Sequence, residues 1–161
     1  IIKVEEKYET AIETALGGSI QNIVTDTQKT AKKMIEYLKK NRYGRVTFLP
    51  LDAVKGKEFA RKEILLEPGV IGAANQLVIY DEVYKDLFAS LLGQILVVKD
   101  MDAGIKIANK YHHSVRIVTL DGDSLNRGGA MSGGAFKNKS NLLGRSREVE
   151  ELKKKLLEIN H

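Results

Sequence analysis

Residues 116–134 read RIVTLDGDSLNRGGAMSGG. An apolar, β-branched stretch enters an Asp121-Gly122-Asp123 turn and then a segment with four of the chain's 14 glycines in seven residues. From the residues alone, three uses of that segment stay open. It is a phosphate cradle, although GxxxxGK[ST] and GxGxxG are both absent. It is a flexible linker, although Met131 inside it and Ala135-Phe136 after it argue against a wholly solvated tether. Or it is a strand whose missing side chains let a second backbone come close.

Working backwards, Ser114–Leu120 reads as a strand, preceded by a helix over Met101–Tyr111 with Asp100 as its cap. Gln94–Lys99 is the strand before that. Gly93 stops a helix that starts after Asp81, and Gln76–Tyr80 precedes it as another strand. Nearer the N-terminus the same grammar recurs. Ile20–Val24 reads as a strand, and Asp26 or Thr27 caps a helix reaching about Lys40. Ala31, Met34, Ile35 and Leu38 form its inner face. Gly44 breaks it, and Arg45–Leu51 is a strand ended by Pro50. LGGSIQNIVTD…RVTFLPLD (16–52) thus parallels LGQILVVKD…RIVTLDGD (92–123), a weak internal duplication. Residues 52–75 are less regular, with Gly56, Pro68, Gly69, Gly72 and a short apolar run at Ile64–Leu66.

The two ends carry another pattern. Ile1, Val4, Tyr8, Ala11 and Ala15, and again Val149, Leu152, Leu156 and Ile159, alternate spacings of three and four. Such stripes fit amphipathic helices packing on a core. They also fit the stubs of one longer coiled coil that leaves on one helix and returns on the other, so that the pair is antiparallel.

The 161-residue chain carries 43% hydrophobic and 29% charged residues, enough apolar material for one compact domain or two small lobes sharing a core. It has no cysteine, which excludes disulfides, thiolate metal sites and a cysteine nucleophile, and fits a reducing cytoplasm. No apolar run reaches the roughly 20 residues that span a bilayer. The chain does not start with Met and is expected to lack its natural N-terminus.

Taken in order, AIETALGGSIQNIV, GRVTFLPLD, GVIGAANQLVIYD, LLGQILVVKD, RIVTLDGD and GGAMSGG, flanked by heptads, resemble the hinge domain of structural maintenance of chromosomes (SMC) proteins of the bacterial or archaeal type. The resemblance covers about residues 1–155. It implies a mixed α/β domain of two lobes at the tip of a long antiparallel coiled coil. The expected division is an outgoing stub (1–16), a hinge (17–145, lobes 17–75 and 76–145) and a returning stub (146–161). It further implies a ring-like homodimer with two equivalent interfaces and the motif glycines Gly128, Gly129, Gly133 and Gly134, around Met131, at that interface. Gly69, Gly72 and Ala73 of GVIGAAN are the candidate opposing surface. ATP hydrolysis would belong to head domains outside this chain, which is then not itself an enzyme and needs no cofactor or metal. The implied role is chromosome condensation and segregation, in the cytoplasm on the nucleoid, with DNA as a second partner.

Residues 28–45 hold seven basic residues (Lys29, Lys32, Lys33, Lys39, Lys40, Arg42, Arg45) against Glu36 alone. Residues 136–155 hold Lys137, Lys139, Arg145, Arg147, Lys153, Lys154 and Lys155 against three glutamates. The second window is the candidate DNA contact, and solvated lysine faces are the plainer alternative for both. Without a base-reading motif, any DNA contact is phosphate-directed and indifferent to sequence. His112 and His113 read as helix-end residues, and Asp121 and Asp123 as turn residues. The competing function is a small α/β enzyme that holds a nucleotide or phosphate in GGAMSGG.

Overall fold

The computed structural model describes residues 1–135 and 142–159. The fold is mixed α/β. In chain order it runs β1 (Ile2–Val4), α1 (Glu9–Leu16), β2 (Ile23–Thr25), α2 (Gln28–Lys40), β3 (Phe48–Pro50), α3 (Lys62–Leu65), β4 (Val70–Ala73) and β5 (Val78–Tyr80). It continues with α4 (Lys85–Leu92), β6 (Ile95–Val98), α5 (Met101–Lys110), β7 (Arg116–Thr119), β8 (Ser124–Leu125), β9 (Met131–Ser132) and α6 (Leu142–Ile159).

The largest sheet has five strands in the order β4-β6-β7-β8-β9. Its centre is the parallel pair β6–β7, whose ILVV and IVT runs are buried, as both faces of such a pair are covered. Leu96, Val98 and Ile117 pack with Ala103, Ile107 and Ala108 of α5, while Val97 and Val118 face the opposite way into a second cluster. That second cluster holds Ala11, Ile12, Ala15 and Leu16 of α1 and Leu87, Phe88 and Leu92 of α4. Alternation along the strands therefore joins two layers of helix through one sheet.

The two stretches that read alike also share a local topology. β2–α2–β3 and β6–α5–β7 are both strand–helix–strand units with a parallel strand pair. Thr27 caps α2 by accepting from the Thr30 amide, and Asp100 caps α5 by accepting from the Ala103 amide. The Leu51 amide donates to the Thr25 carbonyl at 2.9 Å, and the Leu120 amide to the Val98 carbonyl at 3.1 Å, at the same point after each cap-bearing strand. The two units differ in what surrounds them. β6–β7 is flanked by β4 and β8, whereas among the described residues β2–β3 is a sheet of two strands.

Two expectations change. The stripe over 1–16 does not form one helix. Ile2 and Val4 lie on alternate residues of β1, paired antiparallel with Tyr80 and Val78 of β5, and only Glu9–Leu16 is α-helical. Spacings of three and four allow a helix, but Ile2 and Val4 also satisfy the period of a strand, and the β5 partner decides. The outgoing coiled-coil stub is therefore absent as such, and the apolar face of α1 is spent in the core. Secondly, β4 lies in the irregular stretch 52–75 assigned to the first lobe, yet pairs with β6 of the second, with a bulge at Ile71.

α1 and α6 do lie side by side and antiparallel. The Leu143 amide meets the Glu13 carboxylate, while Arg147, one turn on, meets Glu9 and Glu6, earlier in the chain. Beyond that contact, Val149, Leu152, Leu156 and Ile159 face solvent.

Candidate self-association interface

The glycine segment forms a hairpin and the edge of the main sheet. β8 and β9 pair antiparallel, Ser124 opposite Ser132 and Leu125 opposite Met131. The turn between them is closed by the Asn126 amide on the Ala130 carbonyl (2.8 Å) and by the Gly129 amide on the Asn126 carbonyl (3.1 Å). It is tied to the end of α5 by the Gly128 amide, which donates to the His113 carbonyl at 3.0 Å. Gly128, Gly129 and Gly134 have φ of 85°, 102° and 128°, a region that strains other residues. Gly133 is different: a Cβ there would overlap Asp123 Oδ1.

Among the described residues, nothing lies within 4 Å of where a Cβ would stand on Gly128 or Gly134. The segment is therefore open to its surroundings, and Met131 projects 54% exposed from the edge strand. A strand at a sheet edge carries unpaired amides and carbonyls, a template for pairing with another chain. The described residues of the motif run strand–turn–strand.

Gly69, Gly72 and Ala73 lie at the other end of the same sheet, on and beside β4, so one protomer does not bring the two candidate segments together. Their small side chains serve packing within the chain. A Cβ on Gly69 would stand 2.6 Å from that of Ala103, and Gly72 and Ala73 are buried.

A third surface was missed in the sequence. Ile23, Met34, Ile35, Tyr37, Tyr43 and Val46, all on or beside β2–α2–β3, are exposed. The apolar face of α2 was legible; that only two strands lie beneath it was not.

The basic residues divide. Arg145, Lys153, Lys154 and Lys155 are exposed on α6. Arg147 is instead engaged by Glu9, Glu6 and Glu151, and the hydrogen bond to Glu9 above all holds its guanidinium far up in its charged form. Lys137 and Lys139 lie outside the described residues. In the earlier window, Lys29, Lys32, Lys33, Lys39 and Lys40 are exposed along α2, with a loose Lys32–Glu36 pair at 3.8 Å. Among the described residues, no three His, Asp or Glu are grouped to hold a metal ion, and no helix is long and apolar enough to cross a membrane.

Residues 1–108 match the family model of the SMC flexible hinge domain. The chain belongs to the SMC hinge family. This hinge is 48% identical over 155 residues to the chromosome partition protein Smc of Desulfitobacterium hafniense, covering 95% of the chain and 13% of that protein. It is 44% identical over 163 residues to the Smc of Bacillus subtilis, covering 99% and 14%. The hinge thus spans about one seventh of the length of these relatives. Among solved structures it resembles the Geobacillus stearothermophilus SMC hinge domain, crystallised as an asymmetric dimer, with a TM-score of 0.88 and 45% identity, covering 99% of this chain and 65% of that one. The Pyrococcus furiosus SMC hinge matches with a TM-score of 0.70 and 34% identity over 87% of this chain and 71% of that one.

Proposed function

We propose that this hinge joins two copies of a chromosome partition protein as a homodimer, each copy carrying a coiled-coil arm, in the cytoplasm on the nucleoid. The observation that carries the reading is the exposed glycine-bearing strand β9, at the edge of the main sheet among the described residues. The asymmetric dimer formed by the Geobacillus hinge supports it. Gly128, Gly129, Gly133 and Gly134 keep the edge free of obstruction, and Met131 supplies an apolar contact.

The incomplete β2–β3 unit supplies the counter-surface better than β4 does. In the second unit, β8 runs antiparallel beside β7 and places Leu125 in the cluster under α5. Among the described residues, no strand occupies the corresponding place beside β3. The partner's β9 would lie there, with its Met131 reaching the exposed side of α2. A two-fold axis repeats the contact and closes the assembly at two chains. Sedimentation equilibrium tests the reading, with a dimer expected for the parent and a folded monomer for Met131→Glu. A parent that stays monomeric at tens of micromolar would refute it.

DNA is the second partner, through phosphate contacts without sequence preference. The exposed lysines of α6 support it, and those of α2 form a second basic face.

A further inference from the structure

α6 is an 18-residue helix, about 27 Å long, yet among the described residues its contacts with the body lie within residues 143–147. There Leu143 packs on the cluster built around α1 and α4, its amide donates to the Glu13 carboxylate, and Gly144 is buried. Arg147 closes the contact. Its Nε donates to Glu9, its other nitrogens face Glu6 at 3.7 Å and Glu151 at 3.1 Å, and Glu9 is only 3% exposed. After Arg147 the apolar residues of α6 are exposed.

α1, the seat of this contact, is itself held firmly. Arg116 of β7 donates to the carbonyls of Thr14 and Ala15, capping the C-terminal end of α1, and Thr14 Oγ1 donates to the Gly122 carbonyl in the turn that leads to β8. One short helix therefore touches α6 along Glu9–Glu13 and, at Thr14, the turn between β7 and β8. A tilt of 10° about residue 147 would move residue 159 by about 3 Å, from a 1.5 Å rise per residue.

We propose that the Glu9–Arg147 contact is the joint that fixes the direction of α6 relative to the main sheet, with α1 as the strut between them. Arg147 is then a positioning residue. The inference rests on α6 leading into the arm, as proposed above, but not on the dimer.

The absence of cysteine allows spin labels at Lys106→Cys on α5 and Glu158→Cys on α6. Labelled chain is diluted in excess unlabelled chain so that only distances within one protomer are read. The parent should give one narrow distance distribution. Arg147→Gln should broaden it at least twofold, with sedimentation mass and circular dichroism of the parent. Because Arg147→Gln removes a cation from beside the buried Glu9 carboxylate, Glu9→Gln/Arg147→Gln is the second variant, and it should broaden the distribution in the same way. A narrow, unshifted distribution in either folded variant overturns the joint, as does unfolding of both. A monomeric parent would sink the homodimer and leave this readout intact. Amide exchange in residues 148–159 as slow as in the core of the body would show that α6 has further anchors and refute the arm reading instead.

Discussion

Met34 of α2 and Ile107 of α5 each stand seven residues after the cap of their helix, yet Met34 is 37% exposed and Ile107 only 3%. The next residues repeat the contrast, Ile35 at 40% and Ala108 at 4%. Equivalent helix faces in two related units are thus covered in one and bare in the other. A monomer gains nothing from holding Met34 and Ile35 half in water, since burying each fully would stabilise by about 1–2 kcal/mol. The bare face therefore measures what a partner strand can contribute. Ile35→Glu should weaken self-association by more than tenfold and leave thermal stability within about 1 kcal/mol of the parent. Ile107→Glu, at a covered position, should unfold the chain. If Ile35→Glu keeps the parent's dissociation constant in sedimentation velocity, the counter-surface is not on α2.

The glycines separate by mechanism. Gly134 has φ of 128° with nothing among the described residues within 4 Å of a Cβ there, so the cost of Gly134→Ala is backbone strain of about 1–3 kcal/mol. Gly133 is limited by the Asp123 carboxyl. Gly133→Ala should cost about 1 kcal/mol, the scale of pushing one side chain off its rotamer. In an Asp123→Ala background that cost should vanish, while the cost of Gly134→Ala persists. Urea unfolding of the single and double variants gives both numbers. Equal costs in both backgrounds would remove Asp123 from the account.

How far the sequence reached depended on whether a signal was local. Asp100 and Gly93 bracket β6 within a few residues, and the element emerged at the expected place. The first strand of each strand–helix–strand stretch and the helix caps were legible for the same reason, whereas the residues of the glycine segment left three uses open. β1 was not, because Ile1, Val4 and Tyr8 fit a helix and only pairing with Tyr80 and Val78 makes Ile2–Val4 a strand. β4 was hidden by Gly69 and Gly72, which weaken any strand signal, and its partner β6 lies more than 20 residues away. The bare face of α2 goes with a sheet of two strands among the described residues, and the number of strands beside a helix leaves no mark in the residues of the helix. Arg147 read as one of seven basic residues; its carboxylate partners Glu6 and Glu9 lie at the opposite end of the chain.

Glu67 gives a test of pH. Its carboxylate accepts from the Lys110 ammonium and from the Tyr111 hydroxyl, and these hydrogen bonds, Lys110 first, hold it below the ordinary carboxylate range. A folded-state value lower than the unfolded one means the stabilisation is fully present above the unfolded carboxylate value, about 4.3, and is lost as pH falls through the depressed folded value. Melting temperature should therefore drop on acidification below about pH 4.5, and Glu67→Gln should drop less steeply there. Above pH 6 the variant should melt lower than the parent. Parallel melting curves of parent and variant across pH 3–7 would show that the pair does not contribute.

The two basic windows can be told apart by salt. Lys153, Lys154 and Lys155 lie on α6 beyond the joint, whereas Lys29, Lys32 and Lys33 lie on α2 beside the proposed counter-surface. Each phosphate neutralised steepens the fall of binding with salt by a slope of about 0.9 for duplex DNA. Replacing the three α6 lysines with glutamate should weaken binding to a random duplex and flatten the slope by about two to three if all three touch phosphate. The same exchange on α2 should leave the slope unchanged if that face is covered by a second copy. Fluorescence anisotropy between 25 and 200 mM salt reads both. A flattened slope for the α2 variant with an intact dimer would move the DNA contact to α2, and no binding by the parent at the lowest salt would remove DNA as a partner of this hinge.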